Sequence, residues 1–236
     1  MERDAALTLW TTLREEVITD PASLRRAIDA LALHARDALQ VSGAGVLVAS
    51  DGQQRAVLGA SDDRMRQVEQ FQTTYDEGPC MEAYGTGRFA GATELAGFDA
   101  DRWPLFGSAA VAAGIMAAFS FPLMVGDLAL GALDCYRRQK GPLTPAQIRN
   151  GEMFADIATD LIMHAQIGDG VDALVEQMVR SNGANDRIEQ ARGITAHHLG
   201  VSVGGALELM RDDARRHQRG LDEVAGMIVD GRLRLQ

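Results

Sequence analysis

Residues 115–136 read IMAAFSFPLMVGDLALGALDCY: two long apolar runs, Ile115–Leu123 and Leu128–Tyr136, joined at Gly126-Asp127. Apolar runs of this length, bounded by turn residues, predict strands. Downstream, Pro142, Thr144 and Pro145 announce a closing helix to about Ala165, whose Phe154, Ile157, Leu161 and Ala165 form one stripe. Upstream, Trp103-Pro104 opens a helix through Ala113, and Asp62–Thr73 carries Met65, Val68 and Phe71 at three-residue steps. Before these, Ala44–Ala49 is a short apolar strand, and Ser50-Asp51-Gly52 supplies hairpin turn chemistry ahead of Arg55–Leu58. Two helices come first, over 4–18 and 21–41; Asp20 caps the second, Pro21 takes its first helical position, and Leu24, Ile28, Leu31 and Ala35 recur at helical spacing. Helix, hairpin, helix, two long strands and helix predict an α+β domain, a central antiparallel sheet with helices on both faces.

A chain of 236 residues has room for one large or two modest domains, and its 46% apolar share is ordinary for a globular protein. No apolar run approaches the ~18–20 residues of a spanning helix, and no charged-then-apolar leader opens the chain, so a cytoplasmic protein without a membrane partner is expected. Cys80 and Cys135 lie 55 residues apart with no metal-ligand spacing, which predicts reduced thiols and neither metal nor cofactor. The net charge of −10 argues against nucleic acid, but it is unevenly spread. Residues 1–168 carry net −8 and residues 169–236 only −2, and every cation of the second part is arginine. The planar guanidinium fork suits phosphate and guanine edges. Any affinity for nucleic acid would then rest on placed contacts more than on bulk attraction.

An ordered series of short motifs spans the first part: Gln70-Phe71-Gln72, Glu77-Gly78-Pro79-Cys80, Gly85-Thr86-Gly87, Arg102-Trp103-Pro104-Leu105-Phe106, Phe121-Pro122-Leu123 and Leu130-Gly131-Ala132-Leu133. Over about 22–165 this series resembles GAF domains of actinobacterial type, which are sensory modules for small ligands or protein contacts. The resemblance implies an unknown small-molecule or protein signal. Trp103, Phe106, Phe119, Phe121 and Tyr136 are candidates to line a ligand pocket, although core packing accounts for apolar residues on central strands equally well.

A second set of residues organises the C-terminal part. Ile188-Glu189-Gln190-Ala191-Arg192-Gly193-Ile194 opens a helical run, Gly200-Val201-Ser202 forms a loop, and a helix with Ser202 as cap carries Ala206, Leu209, Met210 and Ala214 as its buried stripe. Leu221, Val224, Ala225, Ile228 and Val229 give a last short helix. This arrangement resembles the ANTAR family of RNA-binding antiterminator domains, across about 171–234. The resemblance implies an all-α three-helix domain that binds tandem hairpins in a nascent transcript, and two hairpins call for a homodimer. The organisation expected is an N-terminal helix over 1–21, a GAF-like sensor over 22–166, a connector over 167–184 and an ANTAR-like domain over 185–236. Gly168, Gly170 and the Ser181–Asn185 segment interrupt the connector.

For RNA contact, Arg192 is central, with Ala191 and Gly193 small enough to clear a patch beside it and Gln190 and Arg211 behind. Arg215 and Arg216 are phosphate candidates, with Asp212 and Asp213 intruding on them. The competing reading of the small residues is close packing in a helical bundle. His197 and His198 are adjacent, so at most one shares that surface, and no His or Cys pair lies at metal spacing. The whole-chain alternative is a dimeric protein-interaction or DNA-binding regulator. A third reading, a cysteine-based redox enzyme or sensor using Cys80 with Cys135, needs a lowered thiol pKa, which a helix N-terminus after Gly78-Pro79 would favour; Cys135 looks buried in its strand. No Ser-His-Asp arrangement, Walker loop or kinase signature is present, so no enzyme is expected.

Overall fold

A computed structural model describes residues 3–20, 23–49, 55–97, 99–165, 183–217 and 219–235. The strands β1 (Gly43–Ala49), β2 (Arg55–Ala60), β3 (Ala90–Ala92), β4 (Ala117–Val125) and β5 (Leu128–Arg137) form one antiparallel sheet in the order β2-β1-β5-β4-β3. The two long apolar runs at 115–123 and 128–136 are β4 and β5, with Gly126 at φ +60 in the turn between them. Gly131 lets β5 lie against β1, because a Cβ there would strike the carbonyl oxygen of Leu47.

The period of two divides each strand between the faces of the sheet. Val46, Val48, Leu58, Phe119, Phe121, Leu123, Leu133 and Cys135 point to one side, where α2 (Leu24–Leu39) and α6 (Pro145–Ala165) cover them. Helix α1 (Arg3–Thr19) packs outside α6. Leu13, Ile28, Leu31, Phe154, Leu161 and Ile162 complete this core. On the other side lie α3 (Asp63–Tyr75), α4 (Pro79–Thr86) and α5 (Pro104–Ala112), around Met65, Val68, Trp103, Phe106, Ile115 and Tyr136. Helices on both faces of an antiparallel sheet are thus as the sequence predicts.

Local chemistry sets the element ends. Asp62 caps α3 by accepting from the Met65 amide at 3.0 Å. Glu77 does the same for α5 from a distance in sequence, accepting from the amides of Leu105 at 2.8 Å and Phe106 at 3.2 Å. Three details depart from expectation. Helix α2 begins at Leu24 with Ser23 at its cap, and Pro21 lies outside the described residues, as does the Ser50–Gly52 turn. Both α4 and β3 are elements that the apolar pattern does not predict; Pro79 starts α4 at its first turn and Gly87, at φ +63, ends it. Finally, Gly183, Ala184 and Asn185 belong to a helix rather than an interruption.

That helix, α7 (Gly183–Leu199), packs with α8 (Val203–His217) and α9 (Leu221–Val229) around Ala191, Met210, Ala214, Leu221, Val224, Ala225 and Ile228. Ser202 caps α8, its hydroxyl accepting from the Gly205 amide at 3.0 Å. The connector 167–182 lies outside the described residues. Helix α8 meets α3, and the Arg215 guanidinium donates to the Tyr75 carbonyl at 3.3 Å. Among the described residues no helix is long and apolar enough to cross a membrane.

Candidate functional site

The α3–α4 side of the sheet holds a group of polar side chains removed from solvent. Ser120 of β4 stands opposite Asp134 of β5, and both point away from the apolar face by the same alternation that sends Phe119, Phe121 and Cys135 toward it. Glu69 comes from α3 and Cys80 from the first turn of α4. One ligand atom each of Glu69, Cys80 and Asp134 lies within 4.8 Å of the others, and none of the three is more than 2% exposed.

Neutral groups brace this cluster. The Ser120 hydroxyl donates to Asp134 Oδ1, and the Gln72 amide donates to Glu69 Oε2 at 3.1 Å. Gln72 Oε1 in turn accepts from the Cys80 amide at 2.8 Å, which ties α3 to α4. Gly78 makes room for this: it sits at φ +120, and a Cβ there would lie 2.6 Å from Gln72 Oε1. Glu69 Oε1 and Asp134 Oδ2 receive no donor from outside the cluster among the described residues, and the two carboxyls hydrogen-bond to one another. Burial, with the Asp134 charge beside it, pushes the Glu69 carboxyl well above its ordinary range. Burial also raises Asp134, against the hydrogen bonds it accepts.

Burial, reinforced by Asp134 and Glu69, raises the Cys80 thiol well above its ordinary value. The helix N-terminus therefore does not yield a thiolate here; two acids and the loss of water outweigh it. Cys135 is buried on the opposite face of the sheet, so the two thiols have no path to pair.

The five aromatic candidates do not converge. Trp103, Phe106 and Tyr136 pack in the α3–α5 core, whereas Phe119 and Phe121 point to the α2–α6 side. A cleft of about 660 Å³ opens instead between α3 and α5, lined by Gln67, Phe71, Tyr75, Leu105 and Ala109, with Gly220, ahead of α9, also in its lining. None of the five aromatics lines it.

The C-terminal candidates divide likewise. Gln190, Gly193 and Arg216 are exposed, as are both His197 and His198. Arg192 is half-buried. Ala191 is fully buried against the bundle core, so it is a packing residue and not surface. Arg211 is 5% exposed and pairs with Glu208 at 2.8 Å, and Arg215 pairs with Asp212 at 2.9 Å while reaching Tyr75. Both arginines are thus engaged within the molecule. Asp213 is buried beside His217.

Sequence reading missed the Glu69–Cys80–Asp134 group. Its one available signal was a charged residue in each of two otherwise buried segments, Asp134 within an apolar strand and Glu69 on the α3 stripe side.

The chain is similar to solved GAF structures at low identity. The GAF domain of an Acinetobacter phosphoenolpyruvate-protein phosphotransferase aligns at TM-score 0.52 and 14% identity, over 72% of this chain and 99% of that one. The GAF region of a membrane protein from Geobacter sulfurreducens PCA aligns at 0.51 and 16%, over 65% and 99%. At this identity the likeness establishes the fold alone. No curated protein sequence matches the chain. The GAF domain family pattern matches residues 21–163, which is the sheet with its flanking helices α2 to α6, and the chain belongs to that family.

Proposed function

We propose that this protein is a signal-responsive RNA-binding regulator of transcription termination, in which α7–α9 bind paired hairpins of a nascent transcript as an ANTAR-like domain and the GAF domain controls them. The observation that carries this reading is Gly193. It lies inside α7, is exposed, and a Cβ there would meet nothing within 4 Å. Glycine inside a helix costs roughly 1 kcal/mol relative to alanine. Among the described residues no packing demand accounts for it, whereas close approach of another molecule would. Exposed Gln190 and Ile194 and half-buried Arg192 flank it, a mix of amide, apolar and guanidinium groups suited to unstacked loop bases.

The contact of α8 with α3 supports control by the sensor. Arg215, a phosphate candidate, is held on the Tyr75 carbonyl, and the α3–α5 cleft has Gly220 of the output domain in its wall. A ligand seated there touches both parts, and it shifts the balance between docked and free output by its difference in affinity for the two. Binding to two hairpins engages two copies of the chain.

The test compares full-length protein with a tandem-hairpin RNA, the same RNA with altered loop bases, and duplex DNA, across a salt series. Loop-dependent affinity surviving moderate salt is expected, and Gly193→Glu should abolish it without loss of helix content. Equal, steeply salt-dependent binding to all three would leave only phosphate attraction and overturn the assignment.

A further inference from the structure

We propose that Glu69, Cys80 and Asp134 form a buried site for a single divalent cation of the zinc class, supported by Ser120 and Gln72. The inference stands on the GAF domain alone and does not depend on the RNA-binding reading.

Three observations carry it. The first is the donor set: a thiol and two carboxyls from α3, α4 and β5, with their ligand atoms within 4.8 Å of one another. Sulfur with few oxygens suits Zn2+ or Co2+ and not Ca2+ or Mg2+, which take six or more oxygens or keep their waters. Zinc bond lengths of ~2.0–2.2 Å to oxygen and ~2.3 Å to sulfur require the group to close by only about 1 Å.

The second is the pattern of hydrogen bonding. Each carboxyl group has one oxygen braced by a neutral donor, Asp134 by Ser120 and Glu69 by Gln72. The other oxygen of each, Asp134 Oδ2 and Glu69 Oε1, is buried and reached by no donor from outside the cluster among the described residues, so that only the proton shared within it satisfies them. Metal sites are built this way, with an outer shell fixing the ligand and one lone pair left for the ion.

The third is charge. Two carboxyl groups and a thiol buried together need positive charge to ionise. A divalent cation supplies it: the ion displaces the proton of Cys80 and the proton held by the Glu69–Asp134 pair, both released to water as the Zn–S and Zn–O bonds form. Three protein ligands leave one coordination position for water or an outside donor. The ion would tie α3 and α4 to β5, and α3 is also the helix whose Tyr75 holds Arg215.

The experiment uses the full-length chain, prepared both from cells grown with added Zn2+ and by refolding from urea with Zn2+ or Co2+. The expected result is one ion per chain after dialysis and, with Co2+, a thiolate-to-cobalt charge-transfer band. Cys80→Ser should remove that band and Cys135→Ser should keep it. Ser120→Ala, which leaves every ligand in place, should weaken Co2+ binding by about tenfold or more. Natively folded protein that holds no metal from either preparation would overturn the proposal and assign the cluster to a shared proton. A cobalt band surviving in Cys80→Ser would overturn it equally.

Discussion

The two faces of the sheet are built from the same strands yet differ in kind. Toward α2 and α6 the side chains are Val46, Val48, Phe119, Phe121, Leu123 and Leu133, with Cys135 as the softest among them. Toward α3 and α4, one position along, the strands present Ser120 and Asp134 to Glu69 and Cys80. The first face needs only volume and apolarity, and buried area stabilises it. The second carries buried groups that cost free energy unless paired, and the economical way to stabilise a sheet would have been to repeat the first. The buried polar cluster is thus confined to one face of the sheet, the face from which the proposed ion site is built.

The comparison is broken most severely on the apolar side. Phe121 is fully buried and its ring occupies the space over Gly151, where no Cβ fits. Phe121→Ala should cost about 3–5 kcal/mol in urea unfolding, through lost contacts and the cavity left behind. A loss below about 1 kcal/mol would mean that α6 collapses onto β4 and that the apolar face is more plastic than its packing implies.

On the polar side the smaller change Ser120→Ala removes few atoms but strips Asp134 of its donor. It should cost about 1–3 kcal/mol in the same measurement, more than its volume alone explains. A neutral outcome would show that Asp134 finds another partner.

The acid pair also predicts a pH dependence in protein kept free of metal. Burial raises the Glu69 carboxyl in the folded state above its unfolded value, so folding takes up a proton. The corresponding stability is fully present below the ordinary glutamate range and is lost as pH climbs through the raised folded value, at up to about 1.4 kcal/mol per pH unit for one proton. Urea midpoints measured from acid to mildly alkaline pH check this, and Glu69→Gln should flatten the slope. Stability that rises with pH over the same range would contradict the assignment of the proton to this pair.

The smallest effect is expected in the output domain, where Gly193→Ala should raise the stability of the helical bundle by about 0.5–1 kcal/mol. The same variant should weaken RNA binding if close approach at this position matters. Stability gained with RNA affinity unchanged would separate Gly193 from the contact surface.

Much of the fold was legible in local pattern. The apolar runs at 115–123 and 128–136, the stripe from Phe154 to Leu161, and the caps at Asp62 and Ser202 each report a repeat or a hydrogen bond within a few residues. Such signals survive in one dimension because the backbone period creates them. With Phe119 paired to Cys135, alternation along β5 sends Tyr136, one position on, to the face opposite Phe119, so these two cannot share a pocket.

What the tertiary structure alone decided is which helix covers which residue. Glu69, Cys80 and Asp134 are far apart in the chain and meet because α3 and α4 both settle on the Asp134 side of β5. Ala191 turned inward and Arg211 was buried because α7 and α8 rotate to close a common core, an angle no single helix specifies. Periodicity says that a side chain lies on a face; only packing says what that face meets, and chemistry needs the second.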